Sequence, residues 1–143
     1  MSEAVFRGVS GKVYRFMALR PGAPSLHEPA VYAFARPGPL GKGWTPVFLS
    51  RTADLATRLD GHERWAEAEL LGATHVLALF EPERVAREEA EDDLVAALKP
   101  ALNQGDDAAD ALVTAARRSA EVVAFPARPG VVFNPPIPVR AAG

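Results

Sequence analysis

The sequence predicts an α+β domain with a small, mostly antiparallel central sheet flanked by helices. Four short runs rich in valine, leucine, tyrosine and phenylalanine have the composition of strands. The first three runs follow one another with only loops between them, and consecutive strands joined in this way usually pair antiparallel. Helical segments begin only after the third run, so the predicted order is three strands, a helix, a strand and a second helix.

The predicted strands cover residues 12–19, 31–35, 47–50 and 74–80. The first of them is an N-terminal addition to the sheet that the other three form. The loops RPGAPSLHEP and RPGPLGKGWTP separate the first three strands, and their prolines and glycines deny them regular backbone hydrogen bonding. We therefore expect strands 31–35 and 47–50 to form an antiparallel pair.

Two main helices are predicted. Thr52 is expected to cap the first, with Asp54 in the first turn, where the helix dipole favours an acidic side chain. This helix covers residues 53–72, and Gly61 divides it into two pieces. A proline opens the second helix, predicted over residues 82–98, at the position that proline prefers.

The C-terminal part of the chain has a different composition. A shorter helix is predicted over residues 106–119, and prolines are frequent from Phe125 onwards, as in an extended segment. We therefore expect residues 1–104 to form the domain, with its N-terminal strand. Residues 105–143 are expected to add a helix and a proline-rich tail that pack on the same domain.

The composition excludes several classes of protein. A chain of 143 residues that is 48% hydrophobic and 24% charged is typical of a single globular domain. No apolar run approaches the ~20 residues that span a bilayer, and the N-terminus lacks the pattern of a secretory signal. We therefore expect a cytoplasmic protein without a membrane partner. The absence of cysteine excludes disulfides and thiolate metal sites, and the net charge of −2 argues weakly against a non-specific nucleic-acid binder.

An acidic residue lies on the predicted inward face of the second helix. Glu91 and the aliphatic Leu94, Val95 and Leu98 are spaced three, four and seven residues apart, which places them on one helical face. A carboxylate above three core-facing aliphatic side chains is costly unless a cation offsets its burial. That cation is either a metal ion in a cleft or an arginine, and Arg87, one turn earlier, is the nearest candidate.

Several segments in the region 29–103 resemble, in the same order, the motifs of the GIY-YIG nuclease superfamily. AVYAF resembles the GIY strand, and PVFLSRTADLATRLDGH resembles the YIG strand with its RLxxH helix. EDDLVAALKPALN resembles the E-x-x-L-I helix of the family with its closing P-x-L-N. Each segment alone is common in proteins, whereas their order and separation are more specific.

The resemblance implies a metal-dependent endonuclease that hydrolyses phosphodiesters in DNA or another nucleic acid. Tyr32 matches the GIY tyrosine near the attacking water, and Arg58 matches the helix arginine that faces the scissile phosphate. His62 stands where many members have a histidine. Glu91 matches the acid that holds the divalent metal, Mg²⁺ or Mn²⁺, and Asn103 matches the asparagine that closes the site.

These residue types suit the chemistry. Hydrolysis of a phosphodiester needs a positioned water, a proton acceptor and positive charge beside the pentavalent phosphate. Arginine supplies a cation that keeps its proton, and one carboxylate with waters and substrate oxygens suits Mg²⁺. Arg58 and His62 are four residues apart, so they share one helical face if the helix continues past Gly61.

The chain also departs from the family pattern. Ala30 replaces the glycine of GIY, and Phe48, Leu49 and Ser50 replace the YIG motif, so the second tyrosine hydroxyl and the glycine are missing. We therefore expect weak or specialised hydrolysis. One alternative is a catalytically inactive relative that binds nucleic acid or protein, and another is a structural domain for self-association.

Each candidate residue has a structural interpretation as well. Tyr32 is compatible with a packed aromatic whose hydroxyl lies at the surface, and His62, beside Gly61, with an ordinary helix-end residue. Asn103, after Pro100, is compatible with a residue that caps a turn. The active-site hypothesis differs from these interpretations because it requires the candidate side chains to converge on one concave surface.

Overall fold

A computed structural model describes residues 3–20, 26–104, 113–115 and 117. Up to residue 104, the described chain forms five strands and three α-helices. The strands are β1 (Glu3–Arg7), β2 (Val13–Leu19), β3 (Ala30–Pro37), β4 (Trp44–Thr52) and β5 (His75–Phe80). The helices are α1 (Leu55–Leu59), α2 (Trp65–Leu70) and α3 (Arg84–Leu98), and short 3-10 turns cover Pro39–Gly41 and Ala101–Asn103.

The five strands form one sheet in the order β1-β2-β5-β3-β4, and all the neighbouring pairs are antiparallel. The predicted pairing of residues 31–35 with 47–50 is confirmed, since Tyr32 lies opposite Ser50 and Phe34 opposite Phe48. The predicted α+β class is therefore confirmed at this coarse level. The more specific likeness to the GIY-YIG fold stays a prediction.

Each face of the sheet has its own hydrophobic core, because alternate residues of a strand project to opposite faces. On one face, called here the Tyr32 face, Tyr32 and Phe34 pack with Leu55 and with Ala68 of α2. On the other, called here the α3 face, buried residues of all five strands pack with Ala90 and Leu94 of α3. These strand residues include Ala4, Tyr14, Phe16, Ala18, Val31, Ala33, Leu49 and Leu77. The two faces therefore present different surroundings to any functional side chain.

The sequence prediction missed the first strand. β1 pairs with β2 from Glu3↔Met17 to Arg7↔Val13, so a hairpin rather than a single strand extends the sheet. The strand is five residues long and only Ala4 is fully buried. Its sequence EAVFR therefore lacks the continuous apolar character that identified the other strands.

The helix boundaries also differ from the prediction. Asp54, not Thr52, is the N-cap of α1, because its carboxylate accepts the backbone N–H of Thr57. Thr52 instead accepts the N–H of Asp54. The division at Gly61 is confirmed, since its φ of +64° is left-handed and separates α1 from α2. α3 begins at Arg84, two residues after the proline that was expected to open it.

Part of the C-terminal prediction lies outside the described residues. In the predicted 106–119 helix, residues 113–115 and 117 are helical and Val113 packs in the core of the Tyr32 face. The rest of that segment and the tail from Phe125 onwards are not among the described residues. Within the ranges that the structure describes, none of the helices combines the length and hydrophobicity needed to cross a membrane.

Candidate active site

Two of the candidate residues meet in the core of the Tyr32 face. Tyr32 projects from the central strand β3 and its side chain is fully buried, with 0% exposure. His62 lies in the link between α1 and α2, which the left-handed turn at Gly61 folds back over the sheet. The Tyr32 hydroxyl lies 2.8 Å from Nε2 of His62, a hydrogen bond between residues 30 positions apart. The hydroxyl is therefore inside the protein, which rules out the interpretation that it lies at the surface.

The tautomer of His62 follows from its second hydrogen bond. Its Nδ1 accepts the backbone N–H of Arg64 at 3.0 Å, so a neutral ring carries its proton on Nε2. The Nε2–H then donates to the phenolic oxygen of Tyr32. This arrangement leaves the Tyr32 proton free to be donated to another acceptor.

Arg58 lies at the rim of the same cluster. It is in the last turn of α1, and its guanidinium donates two hydrogen bonds to the carboxylate of Glu63, at 3.0 and 2.8 Å. The Arg58 side chain is 37% exposed and that of Glu63 is 64% exposed. The hydrogen bond from Arg58 lowers the pKa of Glu63 to about 2 and the pair raises the pKa of Arg58. Both groups are therefore charged at neutral pH.

Opposing effects act on the phenol. Burial raises the pKa of Tyr32 above its ordinary value, and this effect prevails. The positive charge of Arg58 and the polar Ser50 side chain act in the opposite direction, because they stabilise a phenolate. Tyr32 is therefore a neutral phenol at neutral pH, because burial and the charge of Glu63 outweigh the effect of Arg58.

Glu91 lies on the other side of the sheet. Its carboxylate accepts a hydrogen bond from the guanidinium of Arg51, which is opposite Val31 in the register of β3 and β4. Val31 and the α3 residue Leu94 belong to the core of the α3 face, whereas Tyr32 belongs to the other core. The sheet therefore separates the Glu91 carboxylate from the Tyr32 hydroxyl. The structure thus brings Tyr32 and Arg58 close together, whereas Glu91 does not join them as the predicted convergence requires.

The arginine expected beside Glu91 has a different role. Arg87 is buried, and its guanidinium donates 2.9 Å hydrogen bonds to the carbonyls of Glu81 and Pro82. It therefore fixes the start of α3. The cation that offsets the partial burial of Glu91 is Arg51, on a neighbouring strand.

Asn103 is also outside the Tyr32 cluster. Its Oδ1 accepts the backbone N–H of Leu49 and its Nδ2 donates to the carbonyl of the same residue, both at 2.8 Å. β4 is an edge strand of the described sheet, and these two groups point away from β3. The side-chain amide thus takes the place of a neighbouring strand, a structural role that differs from the turn cap expected for Asn103.

This contact predicts an effect on stability. Asn103→Ala would leave the N–H and carbonyl of the buried Leu49 without these partners, so we expect a loss of about 1–3 kcal/mol in the free energy of unfolding. Gln104→Ala is the matched control, because Gln104 is exposed and its side-chain amide donates a weak hydrogen bond to the Pro100 carbonyl, at 3.2 Å. It should cost less than about 0.5 kcal/mol. Denaturant titration measures both values, and an Asn103→Ala protein of unchanged stability would contradict this role.

The structure also adds residues that were not predicted to belong to the site. Glu63 and Ser50 belong to the Tyr32 cluster through their contacts with Arg58 and Tyr32. Phe48, at the position of the missing YIG tyrosine, packs with its ring centroid 6.2 Å from that of Tyr32 and 5.4 Å from that of His62. The sequence RLDGHE could have indicated the role of Glu63. Arg58 and Glu63 are five residues apart, and their side chains meet because the intervening glycine folds the chain back.

His62 predicts a pH dependence. Burial and the charge of Arg58 lower its pKa below the ordinary value, so the fold favours the neutral ring. The stability that depends on neutral His62 is fully present above the unfolded pKa of about 6.5, and it decreases as the pH falls through the lower folded pKa. We expect unfolding free energies from urea titrations to decrease over this acidic range. His62→Gln should reduce that decrease, whereas His75→Gln, which alters a histidine packed on Trp44, should not.

The residues around Glu91 do not fit the metal that the resemblance implies. Mg²⁺ prefers several oxygen ligands in octahedral geometry, whereas the Glu91 carboxylate contacts a guanidinium. Among the described residues, no three histidine, aspartate, glutamate or cysteine side chains cluster closely enough to hold a metal ion. Mg²⁺ or Mn²⁺ at Glu91 therefore stays a prediction that this arrangement of side chains does not support.

Comparisons with known proteins add no assignment. No protein-family model, no curated protein and no solved structure matches the chain. The likeness to the GIY-YIG superfamily consequently depends on the motifs in the sequence alone.

Proposed function

We propose that the chain is a GIY-YIG-like endonuclease of weak or specialised activity that hydrolyses phosphodiesters at the Tyr32 cluster. The observation that supports this function best is the 2.8 Å hydrogen bond between Tyr32 and His62, beside Arg58. The resemblance to the GIY-YIG motifs implies that these three residues, up to 30 positions apart in the sequence, act in one reaction. Their proximity is what the proposed chemistry requires.

In this proposal Arg58 receives the phosphate. A phosphodiester oxygen would compete with the Glu63 carboxylate for the two N–H groups of Arg58, because both anions accept bidentate hydrogen bonds from a guanidinium. The pair is partly exposed, so its exchange costs little. Arg58 would then offset the charge that develops on the phosphate.

Tyr32 would act on the attacking water. Its oxygen accepts the Nε2–H of His62, and this hydrogen bond holds the phenol in one orientation. As a neutral phenol, Tyr32 would first release its own proton to solvent, a step that the charge of Arg58 favours because it stabilises the phenolate. The phenolate oxygen could then accept a proton from the attacking water. Because the Tyr32 side chain is fully buried, the link between α1 and α2 would have to move to admit the substrate. That requirement accounts for an expected low rate.

A second candidate function is binding of nucleic acid or protein without cleavage. Two observations favour it: the hydroxyl of Tyr32 is enclosed, and Glu91 is paired with Arg51 on the opposite face of the sheet. In this case Arg58 would hold a phosphate that is never hydrolysed. The absence of the YIG tyrosine at Phe48 agrees with either function.

One experiment separates the two functions. Purified protein is incubated with plasmid DNA and with fluorescently labelled single-stranded DNA, in Mg²⁺, in Mn²⁺ and in EDTA. Cleavage is followed on gels and binding by fluorescence anisotropy. Slow cleavage that is lost in Arg58→Gln supports the nuclease, and binding without cleavage supports the binding module. Neither cleavage nor Arg58-dependent binding would contradict both.

A further inference from the structure

The Arg51 guanidinium lies between two carboxylates of α3. Its NH1 donates to Oε1 of Glu91, and its NH2 is 3.8 Å from Oε2 of Glu88, one helical turn earlier. Arg84 approaches the same Glu88 oxygen at 3.7 Å, from a far more exposed position. The Glu91 side chain is only 17% exposed, so Arg51 contacts the least solvated acid of this group.

The position of Arg51 is set by the sheet rather than by the helix. Arg51 is opposite the buried Val31 in the register of β3 and β4, and its side chain consequently projects to the α3 face. The pairing of β4 with β3 thus holds the Arg51 guanidinium beside Glu91. Such an arrangement requires no ion from solution.

We propose that Arg51 is the permanent counter-cation of Glu91 and excludes a divalent metal ion from it. A guanidinium keeps its charge at any physiological pH, so the group cannot become neutral to make room. A divalent ion at Glu91 would either lie beside the guanidinium or displace it from its hydrogen bond. Mg²⁺ also loses its bound waters reluctantly, so one carboxylate already paired with arginine attracts it poorly.

The inference deepens the proposed function in one respect. The resemblance assigns Glu91 to a metal, and the inference assigns it to Arg51, so hydrolysis at Tyr32 would proceed without a metal ion on Glu91. It rests on the proposed function only in selecting Glu91 as the residue to test. The binding of a metal ion is measured without nucleic acid, so its outcome is distinct from that of the cleavage experiment.

The probe is Mn²⁺ alone, with free ion measured by electron paramagnetic resonance. The single substitution Glu91→Gln should leave the Mn²⁺ affinity of the natural protein unchanged, because Glu91 is paired with Arg51 and does not hold an ion. Arg51→Gln should raise Mn²⁺ affinity about tenfold or more, since it removes a like charge only a few ångströms from the ion. The gain should disappear in the double variant Arg51→Gln, Glu91→Gln. Circular dichroism verifies that each variant is folded.

Arg15→Gln is the matched control. Arg15 also pairs with a glutamate, Glu3, at 3.3 Å, but both side chains are exposed on the β1–β2 hairpin. Freeing that carboxylate should not change Mn²⁺ affinity. Binding by the natural protein that is lost in Glu91→Gln would overturn the inference. An Arg51→Gln protein without a Glu91-dependent gain would overturn it as well.

Discussion

Tyr32→Phe should reduce any phosphodiester cleavage by a factor of about 10²–10⁴, the usual effect of removing an acid–base partner. The substitution removes one oxygen, which accepts the Nε2–H of His62 in a buried position. That donor would lose its protein partner, so a loss of about 1–3 kcal/mol in stability is also expected. Initial rates on plasmid DNA, measured well below the midpoint of thermal unfolding, separate the two effects.

Tyr14→Phe is the matched control for this experiment. Its hydroxyl donates to the Asp93 carboxylate at 2.9 Å on the α3 face, so the same chemical change is made across the sheet from the candidate site. This variant should cleave at the natural rate. Equal rates for the natural protein and Tyr32→Phe would remove Tyr32 from the reaction, even if cleavage itself were robust.

Phe48→Tyr should increase the rate of cleavage, by a factor of up to about 10². The Phe48 ring already packs against Tyr32 and His62 and is only partly buried. A hydroxyl can therefore be added to this ring without moving it. It would restore the hydroxyl that the YIG motif supplies in the resemblance. The gain should vanish when Tyr32→Phe is added, because both groups would act on the same water. The measurement is the initial rate on plasmid and single-stranded DNA.

Phe6→Tyr adds a hydroxyl to another partly buried phenylalanine, in the core of the α3 face. It should have no effect on cleavage and so accounts for any general effect of an added polar group. A rate that does not change in Phe48→Tyr would mean that Tyr32 alone suffices. An absence of cleavage in every variant would favour the binding module.

The local patterns in the sequence predicted most of the sheet. Residues 12–19, 31–35, 47–50 and 74–80 lie almost wholly within strands, because each run is apolar enough to be recognised without its neighbours. β1 was missed because three of its five side chains are exposed and its stability comes from pairing with β2. Such a strand exists only once its partner is in place.

The candidate site was predicted less completely. The proximity of Tyr32, Arg58 and His62 is consistent with the motif order. Arg87, the arginine suggested as a partner for Glu91, was wrong. Helical spacing suggested Arg87, but the pairing of β3 with β4 and the packing of α3 on the sheet bring Arg51 to it instead. A contact between a strand and a distant helix depends on tertiary structure. No spacing rule within one element could have identified it.

The two edges of the sheet have different consequences for self-association. At the β4 edge, Pro46 offers no N–H and the Asn103 amide occupies both polar groups of Leu49, so the middle of this strand cannot pair with another chain. At the opposite edge, β1 has no neighbouring strand within the described part of the chain. Of the two edges that the described residues form, β1 is therefore the one open to strand pairing. Pairing of β1 with β1 gives a closed two-fold dimer, whereas growth of a fibre needs two open edges on every copy.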